Sequence, residues 1–150
     1  MQLNQKETSL LGDLSDQEKL CADKYSKYSA SASDPQLKNL FSQIATVEQG
    51  HYNMLSQLKI GSVPSPSGSQ PPEPTFSATY SASPSPEKQN DCFLCTDMLT
   101  AEKHVSSLYD TCIFEFRDES MRKLLNKIQA DEQCHGKMIY DYMEKNAMYS

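Results

Sequence analysis

Apolar residues recur at alternating spacings of four and three over four stretches of the chain, the period of amphipathic helices with narrow buried seams. The first seam reads Leu14, Glu18, Cys21, Tyr25, Tyr28, Ala32, and the second Leu37, Phe41, Ile44, Glu48, His51, Leu55, Leu58. The third reads Met98, Glu102, Val105, Tyr109, Cys112, Phe116, and the fourth Met121, Leu125, Ile128, Glu132, His135, Ile139, Tyr142. No stretch alternates with period two for long enough to suggest a sheet. The pattern predicts an all-α protein, a four-helix bundle with helices near 9–32, 35–60, 91–117 and 119–145.

Turn chemistry agrees with these boundaries. Ser33-Asp34-Pro35 interrupts the first pair of helices, with Asp34 suited to cap the second helix and Pro35 to its first position. Arg117-Asp118-Glu119-Ser120 serves the second pair in the same way. Gly61 followed by Pro64 ends the second helix, and Asn90 or Asp91 is placed to cap the third.

The two helical halves are copies of one pattern. Residues 13–58 lie over 97–142 without a gap, and Asp13, Glu18, Lys19, Tyr25, Asp34, Leu40, Ile44, Glu48, Gln49, His51 and Met54 each meet their own type 84 positions later. Each half thus reads as a helical hairpin that needs the other to cover its apolar face. Between them, residues 61–90 hold seven of the eight prolines, and 15 of the 30 are Pro or Ser. No helical or strand period survives there, which predicts an extended spacer with little fixed structure. A crossover running the length of a bundle accounts for so long a connection.

The only charged residues in the seams are Glu18, Glu48, His51, Glu102, Glu132 and His135. Glu18 stands 16 residues before Asp34 and Glu48 stands 14 after it, so an antiparallel hairpin brings both to one height, and Glu102 and Glu132 repeat the arithmetic about Asp118. Burying four carboxylates in one layer is costly unless they hold protons or are neutralised by cations. Two divalent cations bring the matching charge. Glu-x-x-His puts an oxygen and a nitrogen ligand on one helix face, so two copies offer one His per metal and two carboxylates that can bridge, the ligand set of a two-metal site in a helix bundle. Iron or manganese suits such an oxygen-rich set.

Composition narrows the rest. With 150 residues the chain fits one domain, 1–150, with hairpins at 9–60 and 91–145 joined by the 61–90 linker. The formal net charge of -6, with no Lys/Arg stripe, argues against nucleic acid. No apolar run approaches the roughly 18 residues of a membrane span. The polar start, Met1 to Thr8, lacks the apolar core of a secretory signal, so a cytoplasmic protein with mostly free thiols is expected from its five cysteines.

The two halves resemble the spore coat protein F family, the Coat F domain, within the ferritin-like superfamily. The resemblance rests on Gln17-Glu18-Lys19-Leu20-Cys21, Ser33-Asp34-Pro35-Gln36-Leu37 and Glu48-Gln49-Gly50-His51-Tyr52 in the first half. In the second it rests on Leu94-Cys95-Thr96-Asp97-Met98-Leu99, Glu102-Lys103 and Asp131-Glu132-Gln133-Cys134-His135-Gly136. It implies a ferritin-like bundle with a long crossover, made in the mother cell and built into the spore coat among other coat proteins, with homo-oligomers possible. It implies no particular reaction. A ferritin-like oxidase, peroxidase or catalase-type enzyme is the alternative. By the same resemblance Asp131 would orient His51, while Val47 at the corresponding place could not do so for His135.

Other residues admit two readings. Tyr25 and Tyr109, seven positions after Glu18 and Glu102, are core tyrosines with satisfied hydroxyls or redox partners of the site. Cys92 and Cys95 form a lone C-x-x-C at the expected start of the third helix, where a thiol is acidified. Cys21 and Cys112 read as small apolar fillers, and Cys134 and His104 as facing away from the site.

Overall fold

The computed structural model describes residues 2–65 and 71–149. Four helices, α1 (Gln5–Ser31), α2 (Pro35–Lys59), α3 (Pro86–Glu115) and α4 (Glu119–Lys145), pack as a bundle, with no strand among the described residues. The most extensive contacts are α1 with α2 and α3 with α4; α1 also lies along α3, while α2 and α4 touch sparsely. Among the described residues no helix is long and apolar enough to cross a membrane.

The helix starts show which local signals dominate. Asp34 accepts a hydrogen bond from the Gln36 N–H and Pro35 takes the first position of α2, as its sequence predicts. Asp118 caps α4 through the Met121 N–H. Gly61, at φ 80°, ends α2 in the left-handed region that favours glycine. The other two starts differ from expectation. α1 begins at Gln5, where Asn4 and Glu7 form a reciprocal capping box. α3 begins at Pro86, capped by Ser85, so neither Asn90 nor Asp91 caps it and the expected start at 91 is one and a half turns late. Both helices continue their seams backwards, but the added seam positions include Glu7, Lys88 and Asp91, buried polar residues that break the apolar pattern.

Those polar residues secure the turns. Asp91 of α3 accepts hydrogen bonds from the backbone N–H of Ser33 (2.8 Å) and Asp34 (2.9 Å), in the α1–α2 turn, and from the Tyr80 hydroxyl (2.7 Å). Glu7, the equivalent of Asp91 in the first half, accepts from the Arg117 N–H (3.2 Å) in the α3–α4 turn and from its guanidinium. Each hairpin turn is thus tied by a carboxylate from the other pair of helices.

Residues 76–80, before α3, are more ordered than their surrounding Pro and Ser content predicts, and the connection ends at Ser85 rather than at residue 90. Phe76 packs edge-on against Tyr142, with ring centroids 5.4 Å apart. Gln36 exchanges hydrogen bonds with the backbone of Ser77, and the Asn146 side chain accepts from the N–H groups of Thr79 and Tyr80. These partners belong to folded helix ends, which an apolar-periodicity argument does not see. The part of the expected spacer at residues 66–70 lies outside the described residues.

Two apolar clusters fill the bundle. One is built around Leu11, Leu14, Leu55, Leu58, Tyr109, Phe116 and Leu125, the other around Tyr25, Leu37, Phe41, Met98, Ile139 and Tyr142. Fully burying each large apolar side chain contributes on the order of 1.5–3 kcal/mol, which lets the bundle carry an unfavourable polar layer between the two clusters.

Candidate metal centre

All six predicted residues meet in that layer. Glu18 (α1), Glu48 and His51 (α2), Glu102 (α3), and Glu132 and His135 (α4) are each no more than 3% exposed. Their ligand atoms form two groups with all members within 4.8 Å: Glu18, Glu48, His51 and Glu132 in one, Glu48, Glu102, Glu132 and His135 in the other. Glu48 and Glu132 are common to both. No described side chain outside the six enters either group.

The hydrogen bonds cross between the two halves of the chain. His51 Nδ1 donates to Glu132 Oε1 (3.0 Å) and His135 Nδ1 to Glu48 Oε1 (2.9 Å). The Tyr25 hydroxyl donates to Glu102 Oε1 (2.5 Å) and the Tyr109 hydroxyl to Glu18 Oε1 (2.5 Å). One oxygen of every glutamate is therefore satisfied. The other, Oε2 of Glu18, Glu48, Glu102 and Glu132, is buried without a hydrogen-bond partner among the described residues. Leaving a buried acceptor unsatisfied costs about 1–3 kcal/mol, and more when it is charged. Four such atoms facing one layer fit a cationic occupant.

The electrostatics carry the same strain. Burial and the charges of Glu18 and Glu102 raise Glu48 to about 7, and burial with Glu18 and Glu48 raises Glu132 to about 7. Burial and Glu132 push Glu102 well above the carboxylate range. Glu18 goes the other way, to about 2: burial opposes its charge, but the neighbouring Glu48 and the His51 ring, its Nδ1 3.6 Å from Oε2, prevail. Burial also disfavours the charge on both imidazoles, yet their carboxylate partners raise both well above 6.5. Without metal, protons on the histidines and on part of the carboxylate set do the neutralising.

The His51 end of the layer is held from outside by a carboxylate. His51 Nε2 donates to Asp131 Oδ2 at 2.9 Å, and Lys127 Nζ donates to the same oxygen at 2.5 Å. Asp131 thereby fixes the ring so that Nδ1 faces the glutamates. The equivalents of Lys127 and Asp131 in the first half are Gln43 and Val47, which line a small cavity beside His135 together with Ile44, Met138 and Pro71. Lys127 is absent from the sequence reading, although its place four residues before Asp131 is an ion-pair spacing.

The remaining candidates sort cleanly. Tyr25 and Tyr109 are fully buried, and each hydroxyl reaches a glutamate of the other half rather than of its own. Cys92 and Cys95 lie two turns into α3, not at its start, and burial pushes the Cys95 thiol up. Cys21 and Cys112 are buried core fillers, Cys134 is half-buried against the second cluster, and His104 is exposed.

Residues 90–150 match the family model of the Coat F domain. The Coat F match spans α4 and most of α3, with Glu102, Asp131, Glu132 and His135 inside it and Glu18, Glu48 and His51 outside. No curated protein and no solved structure matches the chain.

Proposed function

We propose that the protein is a spore coat component whose ferritin-like bundle holds two divalent cations, iron or manganese. The whole chain acts as one domain, a duplicated helical hairpin joined by the Pro/Ser-rich crossover, synthesised in the mother cell and assembled with other coat proteins. Glu48 and Glu132 would bridge the metals. Glu18 and His51 would complete one coordination sphere, and Glu102 and His135 the other.

One observation carries the metal reading: two four-residue ligand groups share two carboxylates, and each of the four glutamates has one buried oxygen without a hydrogen-bond partner among the described residues. A polar cluster that served only to set helix register would be expected to satisfy its own acceptors. The Coat F match over 90–150 supports the location. The cations would supply charge neutralisation and the capacity for redox chemistry. The chain itself would exclude bulk water with its two apolar clusters and hold Oε1 of Glu18 and Glu102 with the tyrosine hydroxyls.

The alternative is a di-metal oxidase, peroxidase or catalase-type enzyme, for which Tyr25 and Tyr109 beside the outer glutamates are suitably placed. Following the protein through sporulation separates the two readings. A coat component appears late and co-purifies with extracted coat. Abundance in vegetative cells, absence from coat extracts and a metal-dependent loss of peroxide or ferrous iron, abolished in His51→Ala or His135→Ala, would reverse the order.

A further inference from the structure

The outward face of α3 carries two exposed aromatic side chains. Phe93 and Phe114 are 68% and 82% exposed and stand three heptads apart, so both lie on one side of the helix. Between them on that side are Thr96, Thr100, His104, Ser107 and Thr111, all exposed. The four hydroxyls are already used: Thr96, Thr100, Ser107 and Thr111 each donate to the backbone carbonyl four residues earlier. They make few demands on water, and the threonines add methyl groups to the stripe.

The helix also reads nearly the same in both directions. From Phe93 the sequence runs Phe-Leu-Cys-Thr-Asp, and backwards from Phe114 it runs Phe-Ile-Cys-Thr-Asp. The correspondence continues inward, Leu99 with Leu108 and Thr100 with Ser107, to a midpoint between Lys103 and His104. A twofold axis through that midpoint lays α3 antiparallel on a second copy. Phe93 then meets Phe114, Thr96 meets Thr111 and Thr100 meets Ser107, which is the self-complementarity an isologous interface requires.

Charge and area agree. The equivalent outward positions of α1 include Asp16, Asp23 and Lys27, an ordinary solvated face, whereas the α3 stripe contains no acidic residue in a chain of net charge -6. The same pairing brings Asp97 level with Asp110 at the edge, where each is already engaged within its own copy, Asp97 by Lys24 and Asp110 by Gln129, and Lys103 at the edge can extend its ammonium to water. Two phenylalanines and five smaller residues would cover roughly 600 Å² per copy, about 1,200 Å² in all, the lower end of the range for specific stable interfaces.

We infer that the outward face of α3 between Phe93 and Phe114 is a homodimer interface, with α3 packed antiparallel on α3 of a second copy. The inference is independent of metal and of the coat location.

Sedimentation of the full chain tests it, together with cross-linking of single-cysteine additions under mild oxidation against the wild-type background. A dimer is expected, converted to monomer by Phe114→Glu, whereas Leu20→Glu on the corresponding face of α1 leaves it dimeric. Unchanged helical circular dichroism establishes that Phe114→Glu is folded. His104→Cys, beside the twofold axis, should form a disulfide-linked dimer. Thr96→Cys should not, because residues 96 of the two copies would lie about 22 Å apart along the helix. A chain that stays monomeric at high concentration, a dimer untouched by Phe114→Glu, or cross-linking through Thr96→Cys as readily as through His104→Cys would overturn the inference; in the first case the stripe is left for a different protein.

Discussion

The Tyr25 hydroxyl donates to Glu102 Oε1 at 2.5 Å, joining α1 to the carboxylate of α3 across the buried layer. Tyr109, its equivalent in the second half, returns the bond to Glu18. The tyrosines therefore hold the outer glutamates in place while leaving their second oxygens aimed into the layer. Replacing either tyrosine by phenylalanine removes one donor and keeps the ring. Tyr25→Phe and Tyr109→Phe should each cost about 1–3 kcal/mol in urea unfolding. The two costs should be similar, and a variant that unfolds like wild type would show that its hydroxyl contributes nothing to holding the carboxylate.

The fold was legible because its seams are long and regular, and the six clustered Glu and His residues stood out as the charged members of those seams. The two early helix starts were hidden because Glu7 and Asp91 occupy seam positions with polar side chains whose partners, the turns at Arg117 and Ser33, are distant in sequence. The order near Phe76 and Tyr80 was hidden for a similar reason, since Tyr142, Asn146 and Asp91 lie on other elements. The reach of Tyr25 to the opposite half also needed the fold. A helical seam states which face a residue takes, but not which of two facing carboxylates it meets.

Asp91 replaces water for four donors, two of them backbone N–H groups of the α1–α2 turn. Asp91→Ala should destabilise the protein by about 2–4 kcal/mol, more than a single hydrogen bond, because it leaves buried donors unpaired. Chemical denaturation measures the loss. Faster backbone amide exchange at Ser33 and Asp34 should accompany it, and unchanged exchange there would locate the effect elsewhere.

The raised carboxylates predict an unusual pH response. Glu48 and Glu132 are raised from 4.5 to about 7, so between those values the folded protein binds more protons than the unfolded chain. Stability of the metal-free protein must then fall as pH rises through that window. His51 and His135, raised above 6.5, add stability below that pH which is also lost as pH climbs. Metal replaces those protons, so the stabilisation it gives should grow over the same interval. Melting curves with chelator and with added metal, taken from about pH 5 to 8, check both signs. Glu48→Gln combined with Glu132→Gln should flatten the 4.5 to 7 portion, and a chelated wild-type protein that gains stability across it contradicts the assignment.

The contact of Asp131 with the His51 ring predicts a local effect on metal binding. Asp131→Asn should weaken the step that involves His51 by about 10-fold or more while leaving the other step in place. Calorimetric titration of chelated protein with manganese reads the two steps separately. Equal weakening of both steps would mean that Asp131 acts on the layer as a whole rather than through His51.

The central claim is that Glu18, Glu48, His51, Glu102, Glu132 and His135 form a two-metal site. Elemental analysis of protein purified without chelator tests it most directly. Two ions of iron or manganese per chain are expected, with both lost together in Glu48→Ala combined with Glu132→Ala because those carboxylates serve both ligand groups. A folded wild-type protein that carries no transition metal and takes up none on addition, or a double variant that keeps both ions, would contradict the account.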